Sequence, residues 1–233
     1  MSPDIADVMQ SVLIMALPAI FAITLHEAAH GYVAYKLGDD TAWKMGRVTF
    51  NPIRHIDPFG TILMPLLLFF ISNGQFLFGY AKPVPVRFDR LNHPRRDMVW
   101  VAAAGPATNL ILAFVSAVLI ALVLPFTPAF FYEWLKGNLA YSVIFNVILA
   151  VFNMIPIPPL DGGRVAVGLL PDALAIPLAR TERYGMLILI TLLILLPYVG
   201  QRFGMDLDIV RHVVARPADW ILSVIAQLTG INI

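Results

Sequence analysis

The sequence predicts an all-α polytopic membrane protein, a bundle of about 4–6 transmembrane or re-entrant helices with a small membrane-associated β element. Two observations lead there. Of the 233 residues, 59% are hydrophobic and 13% charged, with a mean hydropathy of +0.77, whereas soluble domains carry about 25% charged residues. Too little polar surface remains to cover the chain in water, which excludes a soluble globule, a disordered chain and a collagen-like rod. The second observation is a set of long charge-free intervals. Between Asp7 and Lys36 the only charge is Glu27, enough chain for about 40 Å of helix.

Taken in order, the intervals predict helix 1 over about 9–36, helix 3 over about 98–124, helix 4 over about 138–157 and a further helix over 184–201. The interval 58–81 is broken by Pro65, Gly74 and Gly79. Trp220 to Ile233 is short for a span. No basic n-region or cleavage site marks a removable signal peptide. Without repeats or a soluble linker, residues 1–233 read as a single membrane-embedded domain, with a core over 9–165 and C-terminal helices over 184–233. Lys and Arg set the orientation. The tail before helix 1 has none, loop 36–57 has four, 82–97 has five, 125–137 has one and 161–183 has three. The N-terminus is therefore expected outside, helix 1 running inward, helix 3 outward and helix 4 inward. Basic flanks on both sides make 58–81 a segment that dips in and returns. Arg202, Arg211 and Arg216 fit this scheme poorly and leave the topology after residue 184 open.

A formal net charge of +1 carries no polyanion-binding signature, so no nucleic-acid partner is expected. With no cysteine, disulfides, iron–sulfur clusters and Cys-ligated zinc are excluded. Any metal must be held by His, Asp or Glu.

Residues 26–30 read HEAAH. On a helix His26 and His30 lie one turn apart on one face, where two imidazoles can converge on an ion. Glu27 is placed to hold a water rather than to ligate. An ionisable group inside an apolar span costs about 2–4 kcal/mol, and packing alone does not account for three of them together. A metal site does. A catalytic zinc takes three protein ligands and keeps one position open, so two histidines are one short. Asp161, in NMIPIPPLDGGR (153–164), ends the charge-free stretch of helix 4. Pro156, Pro158 and Pro159 break that helix, and Gly162 and Gly163 permit unusual backbone. The alternative for Asp161 is a helix-terminal carboxylate at the interface. Topology favours the ligand, because helices 1 and 4 both approach the cytoplasmic side near these residues.

HEAAHGYVAYKLGD (26–39), GRVTFNPIRHIDPFGT (46–61), FGYAKPVPV (78–86), AAGPATN (103–109) and FNMIPIPPLDGGR (152–164) together resemble the site-2 protease family of intramembrane zinc metalloproteases (peptidase M50). The pieces occur in that family's order and cover most of 20–165. The chain looks most like short members made of the membrane core, without PDZ or CBS domains. The resemblance implies that His26, His30 and Asp161 bind one Zn2+ per chain and that Glu27 is the catalytic carboxylate. It implies hydrolysis of peptide bonds in or near transmembrane segments of membrane-protein substrates. It further implies a multi-pass protein of a prokaryotic cell membrane, in contact with the lipid bilayer, with its active site toward the cytoplasm.

In that chemistry Glu27 takes the proton of the attacking water and passes it to the leaving amine. Asn109, of the GPxxN motif, is a candidate oxyanion donor or substrate-orienting group, and interhelical hydrogen bonding is its alternative role. Asn146 and Asn153, seven apart on one helix face, are expected to bond between helices. His55 is expected to fix its loop or pair with Asp57, and His93 and His212 to be solvated. QFLFGYA (75–81), with Phe78, Gly79 and Tyr80, is the candidate β element, able to pair with an opened substrate chain. Two further readings are a non-hydrolytic, zinc-containing membrane adaptor and, more weakly, a divalent-cation transporter. The oligomeric state and the substrate are not encoded in any motif.

Overall fold

The computed structural model describes residues 5–64, 67, 82–205 and 208–231. It is helical, and no strand occurs among the described residues. Phe78, Gly79 and Tyr80, expected as a strand, and most of the 58–81 segment lie outside them. The described start of that segment, Pro58–Leu63, is a π-helical turn capped by Asp57, which accepts from the N–H groups of Phe59 and Gly60.

Among the described residues, four helical runs are long and apolar enough to cross a membrane: Leu13–Lys36, Pro94–Phe126, Ala129–Asn153 and Asp172–Gly200. The first belongs to α1 (Ile5–Lys36), followed by the short α2 (Thr41–Lys44). The next two contain α3 (Pro94–Leu122) and α4 (Ala129–Asn153), and between α4 and the last run lies α5 (Asp161–Leu169). A final helix, α6 (Arg216–Thr229), packs against α3 and α4. The chain is an integral, multi-pass membrane protein.

Several boundaries differ from the expected ones, each for a local reason. Helix α3 starts at Pro94 instead of 98 because Asp97 belongs inside it: its Oδ2 accepts the His93 N–H at 2.8 Å, capping the first turn. Helix α4 begins at Ala129, since exposed Glu133 and Lys136 are accommodated at its outer end, with Lys136 Nζ 5.9 Å from the Tyr132 ring centre. It ends at Asn153, not 157, because Pro156 lacks an N–H and its ring opposes the carbonyl four residues back. The helix expected over 184–201 is the later part of the run Asp172–Gly200.

The bundle core is built on rows of residues four apart. On α1 the buried row is Ala22, His26, His30 and Ala34; on α3 it is Val101, Gly105, Asn109, Ala113 and Ala117. The two rows run antiparallel, Ala22 and His26 lying beside Asn109 and His30 beside Val101. Small side chains let the backbones approach, as helix association in lipid requires. Farther along, Ala113 and Ala117 meet Val143 and Val147 of α4 and Ala218 and Ile225 of α6 in an apolar cluster. Large apolar side chains point outward: Leu122, Phe126 and Phe130 are exposed, as lipid-facing residues are.

Candidate metal centre

Because His26 and His30 belong to the buried row of α1, their rings face α3 instead of lipid. The rings meet edge to face with centres 4.6 Å apart, and their Nε2 atoms are 3.0 Å from each other. Asp161 is the first residue of α5, where the helix N-terminus favours a carboxylate. Its Oδ2 lies 3.1 Å from His26 Nε2 and 3.3 Å from His30 Nε2. The three ligand atoms all fall within 4.8 Å of one another.

Glycines make this convergence possible. A Cβ on Gly105 would stand 2.5 Å from both His26 Cε1 and His30 Nε2, so α3 passes directly over the two rings only because that side chain is missing. Gly162 and Gly163 press on the backbone of Met154–Pro158, where any Cβ would be within 2.2 Å of backbone atoms. That contact folds the proline-rich turn tightly enough to return Asp161 to α1. The far end of α5 is tied to α3 by Arg95, which donates to the carbonyls of Gly168 and Leu170 and pairs with Asp172 at 2.5 Å.

The second nitrogen of each ring fixes what the first can do. His30 Nδ1 is 2.7 Å from the Val101 carbonyl, which can only accept, so the proton is on Nδ1. His26 Nδ1 is 2.6 Å from Asn109 Oδ1 and likewise donates. In neutral imidazoles both Nε2 atoms are then lone pairs facing a carboxylate oxygen. Consistent with this, Asp161 Oδ2 is buried without a hydrogen-bond donor among the described residues. Three lone-pair atoms packed this closely repel one another unless a cation stands among them. Two imidazoles and a carboxylate are also a zinc donor set. The residues fit the metal.

Residues 14–136 and 133–196 match the model of Peptidase family M50. The chain belongs to that family. A Bacillus subtilis (strain 168) protein named "Putative zinc metalloprotease YwhC" is 40% identical over 183 residues, covering 77% of this chain and 80% of that protein. "Putative zinc metalloprotease Rip2" of Mycolicibacterium smegmatis is 30% identical over 177 residues, 75% of this chain and 64% of its own length. "Putative zinc metalloprotease MJ0611" of Methanocaldococcus jannaschii is 33% identical over 140 residues, 60% and 62% of the two chains. No solved structure gives a significant match. The cofactor of this M50 member is zinc, and His26, His30 and Asp161 can hold it.

Glu27 lies on the face of α1 next to the histidine row. Its Oε2 accepts the Val84 N–H at 2.7 Å. Val84 sits in the irregular segment 82–87, which is strapped down along its length. The Lys82 N–H donates to the His55 carbonyl at 2.9 Å, the Lys82 carbonyl accepts from buried Arg47 at 2.7 Å, and the Arg87 N–H donates to Asp39 at 2.6 Å. Burial alone would raise the Asp39 carboxyl; donors from Thr41 and Arg87 outweigh it and hold the group below the usual carboxylate range. Gly31 gives the segment room, since a Cβ there would meet side chains of Val48, Val84 and Ala42.

Asn109 is buried and fully hydrogen-bonded. Its Oδ1 accepts from His26, and its Nδ2 donates to the Ala22 carbonyl at 3.2 Å and to Asn146 Oδ1 at 2.7 Å. Both amide hydrogens are thus committed behind the ligands, which leaves none for an oxyanion. Asn146 does bond between helices, whereas Asn153 donates to Leu149 of its own helix. His55 is buried and bonded to the Thr49 carbonyl, not to Asp57, and His93 and His212 are exposed. Gly105, Val84 and Arg47 lie in the sequence motifs, but none of them is singled out there as a site residue. Gly105 was within reach, since it falls four residues before Asn109 in the small-residue row.

Proposed function

We propose that this M50 member is an intramembrane zinc protease of the site-2 type, cleaving peptide bonds in or near transmembrane segments of membrane-protein substrates. One observation carries the reading: two histidines in a membrane-spanning helix and the carboxylate of Asp161 converge within 4.8 Å, next to a glutamate that ligates nothing. Zinc bound there would supply Lewis acidity at the scissile carbonyl and a water of lowered pKa. Glu27 would be the general base there, able to hold a proton and return it to a leaving amine. Val84 donates to one Glu27 oxygen and so turns the carboxylate. Asn109 and the Val101 carbonyl hold the two imidazoles with Nε2 forward. Burial of His26 and His30 shields the ligand atoms from lipid.

The distribution of Lys and Arg supports an active site toward the cytoplasmic face of the membrane.

The test compares membrane-fraction proteomes of cells carrying wild type, Glu27→Gln and His26→Ala. Glu27→Gln is expected to keep zinc and to slow cleavage by at least about 10², so that an uncut membrane protein accumulates. His26→Ala is expected to lose zinc and cleavage together. Unchanged cleavage by Glu27→Gln would favour a non-hydrolytic adaptor.

A further inference from the structure

Behind the metal centre runs a polar chain that neither the ligands nor Glu27 require. Asn109 and Asn146 are 0% and 1% exposed; the row of Asn109 is otherwise Val101, Gly105, Ala113 and Ala117, and that of Asn146 runs through Ser142 and Ala150. A buried amide in lipid is unfavourable unless each of its groups is bonded. Here all are, and in one direction only. Asn146 Nδ2 donates to the Ser142 carbonyl at 2.9 Å and lies 3.3 Å from Ser142 Oγ, which in turn is 2.8 Å from Ser116 Oγ on α3. A carbonyl cannot donate, so Asn146 must present its Oδ1 to α3. That oxygen fixes Asn109, whose Nδ2 bonds Asn146 Oδ1 and the Ala22 carbonyl. A flipped Asn109 would set its oxygen against two acceptors and aim an N–H at His26. The orientation shown leaves only Oδ1 for His26 Nδ1, at 2.6 Å.

We propose that Asn146 is a positioning residue for the metal centre: acting through Asn109, it decides which nitrogen of His26 carries the proton and so keeps Nε2 as the lone pair facing the metal. The proposal rests on the reading of His26 as a ligand. Without the Asn146 oxygen only the longer bond to the Ala22 carbonyl, at 3.2 Å, opposes a turned-over Asn109 amide; with its N–H facing Nδ1, the ring is driven to the tautomer whose Nε2 bears hydrogen and cannot ligate. An interhelical tie alone would give Asn146 a share in stability but none in metal affinity.

The experiment measures zinc affinity of the purified full chain by competition with a chelator, alongside the thermal midpoint of the zinc-free protein. Asn146→Leu, similar in size but without an acceptor, is expected to bind zinc about 10–100-fold more weakly, the usual effect of losing a partner behind a ligand. Asn146→Asp, as the neutral acid whose O–H donates to the Ser142 carbonyl, keeps the acceptor and is expected to bind within about threefold of wild type. Asn109→Asp accepts from His26 whichever way it turns, so adding Asn146→Leu in that background should change affinity by less than about threefold. Wild-type zinc affinity in folded Asn146→Leu, whatever its thermal midpoint, overturns the proposal. If that variant does not fold, Asn146→Ser, too short to reach Asn109, decides by the same criterion. His26→Ala separates the two readings: if it loses zinc while Asn146→Leu does not, only the relay fails; if it keeps zinc, the metal reading fails and takes the relay with it.

Discussion

Two neighbouring faces of α1 hold their functional groups by different means. Toward α3, His26 and His30 are buried and tied through their Nδ1 atoms to an amide and a carbonyl of a neighbouring transmembrane helix. Beside that row, Glu27 is half-buried and tied to a backbone N–H of the irregular segment 82–87. The ligands are thus set by helix rows that cannot shift without repacking the bundle. The carboxylate is set by a strap of loop, anchored by Arg47, His55 and Asp39. Metal retention and proton transfer are therefore expected to respond to different mutations.

The largest effect is expected at Gly105. A methyl group there would overlap both rings at 2.5 Å, so Gly105→Ala should reduce zinc content by at least about tenfold. Metal analysis of the purified variant checks this, and full zinc occupancy would show that α3 can move away from α1 at little cost. On the neighbouring face, Val84→Pro deletes the N–H that turns Glu27. It should lower kcat by about tenfold, part of what a general base contributes, on a substrate found by the proteome comparison. Zinc content should not change; joint loss would mean that both faces of α1 are one structural unit.

The smallest effect concerns pH. Burial, with help from the Arg47 charge, holds the His55 imidazole below its ordinary 6.5. The unfolded chain therefore binds that proton more readily than the folded one. Stability from this group is intact above about pH 6.5, declines as pH falls from there, and levels off below the lowered folded value. His55→Gln should remove that share of the decline. Thermal midpoints at pH 7.5 and 5.5 should differ by less in the variant than in wild type. An unchanged difference would mean that other groups set the slope.

Much of the fold was legible because its signals are local. Charge-free length marks helices, and His26 and His30 share a face by the 3.6-residue period alone. The boundaries went astray where a charge was taken as the end of a helix: Asp97 is instead a cap, and Glu133 and Lys136 ride on an exposed turn. Asn109 was singled out, yet its role was not readable, since an amide can donate or accept and only its neighbours choose.

By itself the sequence determined the lipid-facing composition, the spans and the pairing of two imidazoles with a glutamate on one helix. It also offered Asp161 as a third ligand from a proline-broken helix end. Tertiary structure alone decided that Asp161 reaches the histidines, that a missing Cβ at Gly105 admits them beneath α3, that Val84 holds Glu27 and that Asn109 faces backward to His26. Those decisions join residues as far apart as 26 and 161. They depend on how far each helix is turned and slid against the next, which periodicity within one helix does not encode and the packing of small-residue rows does.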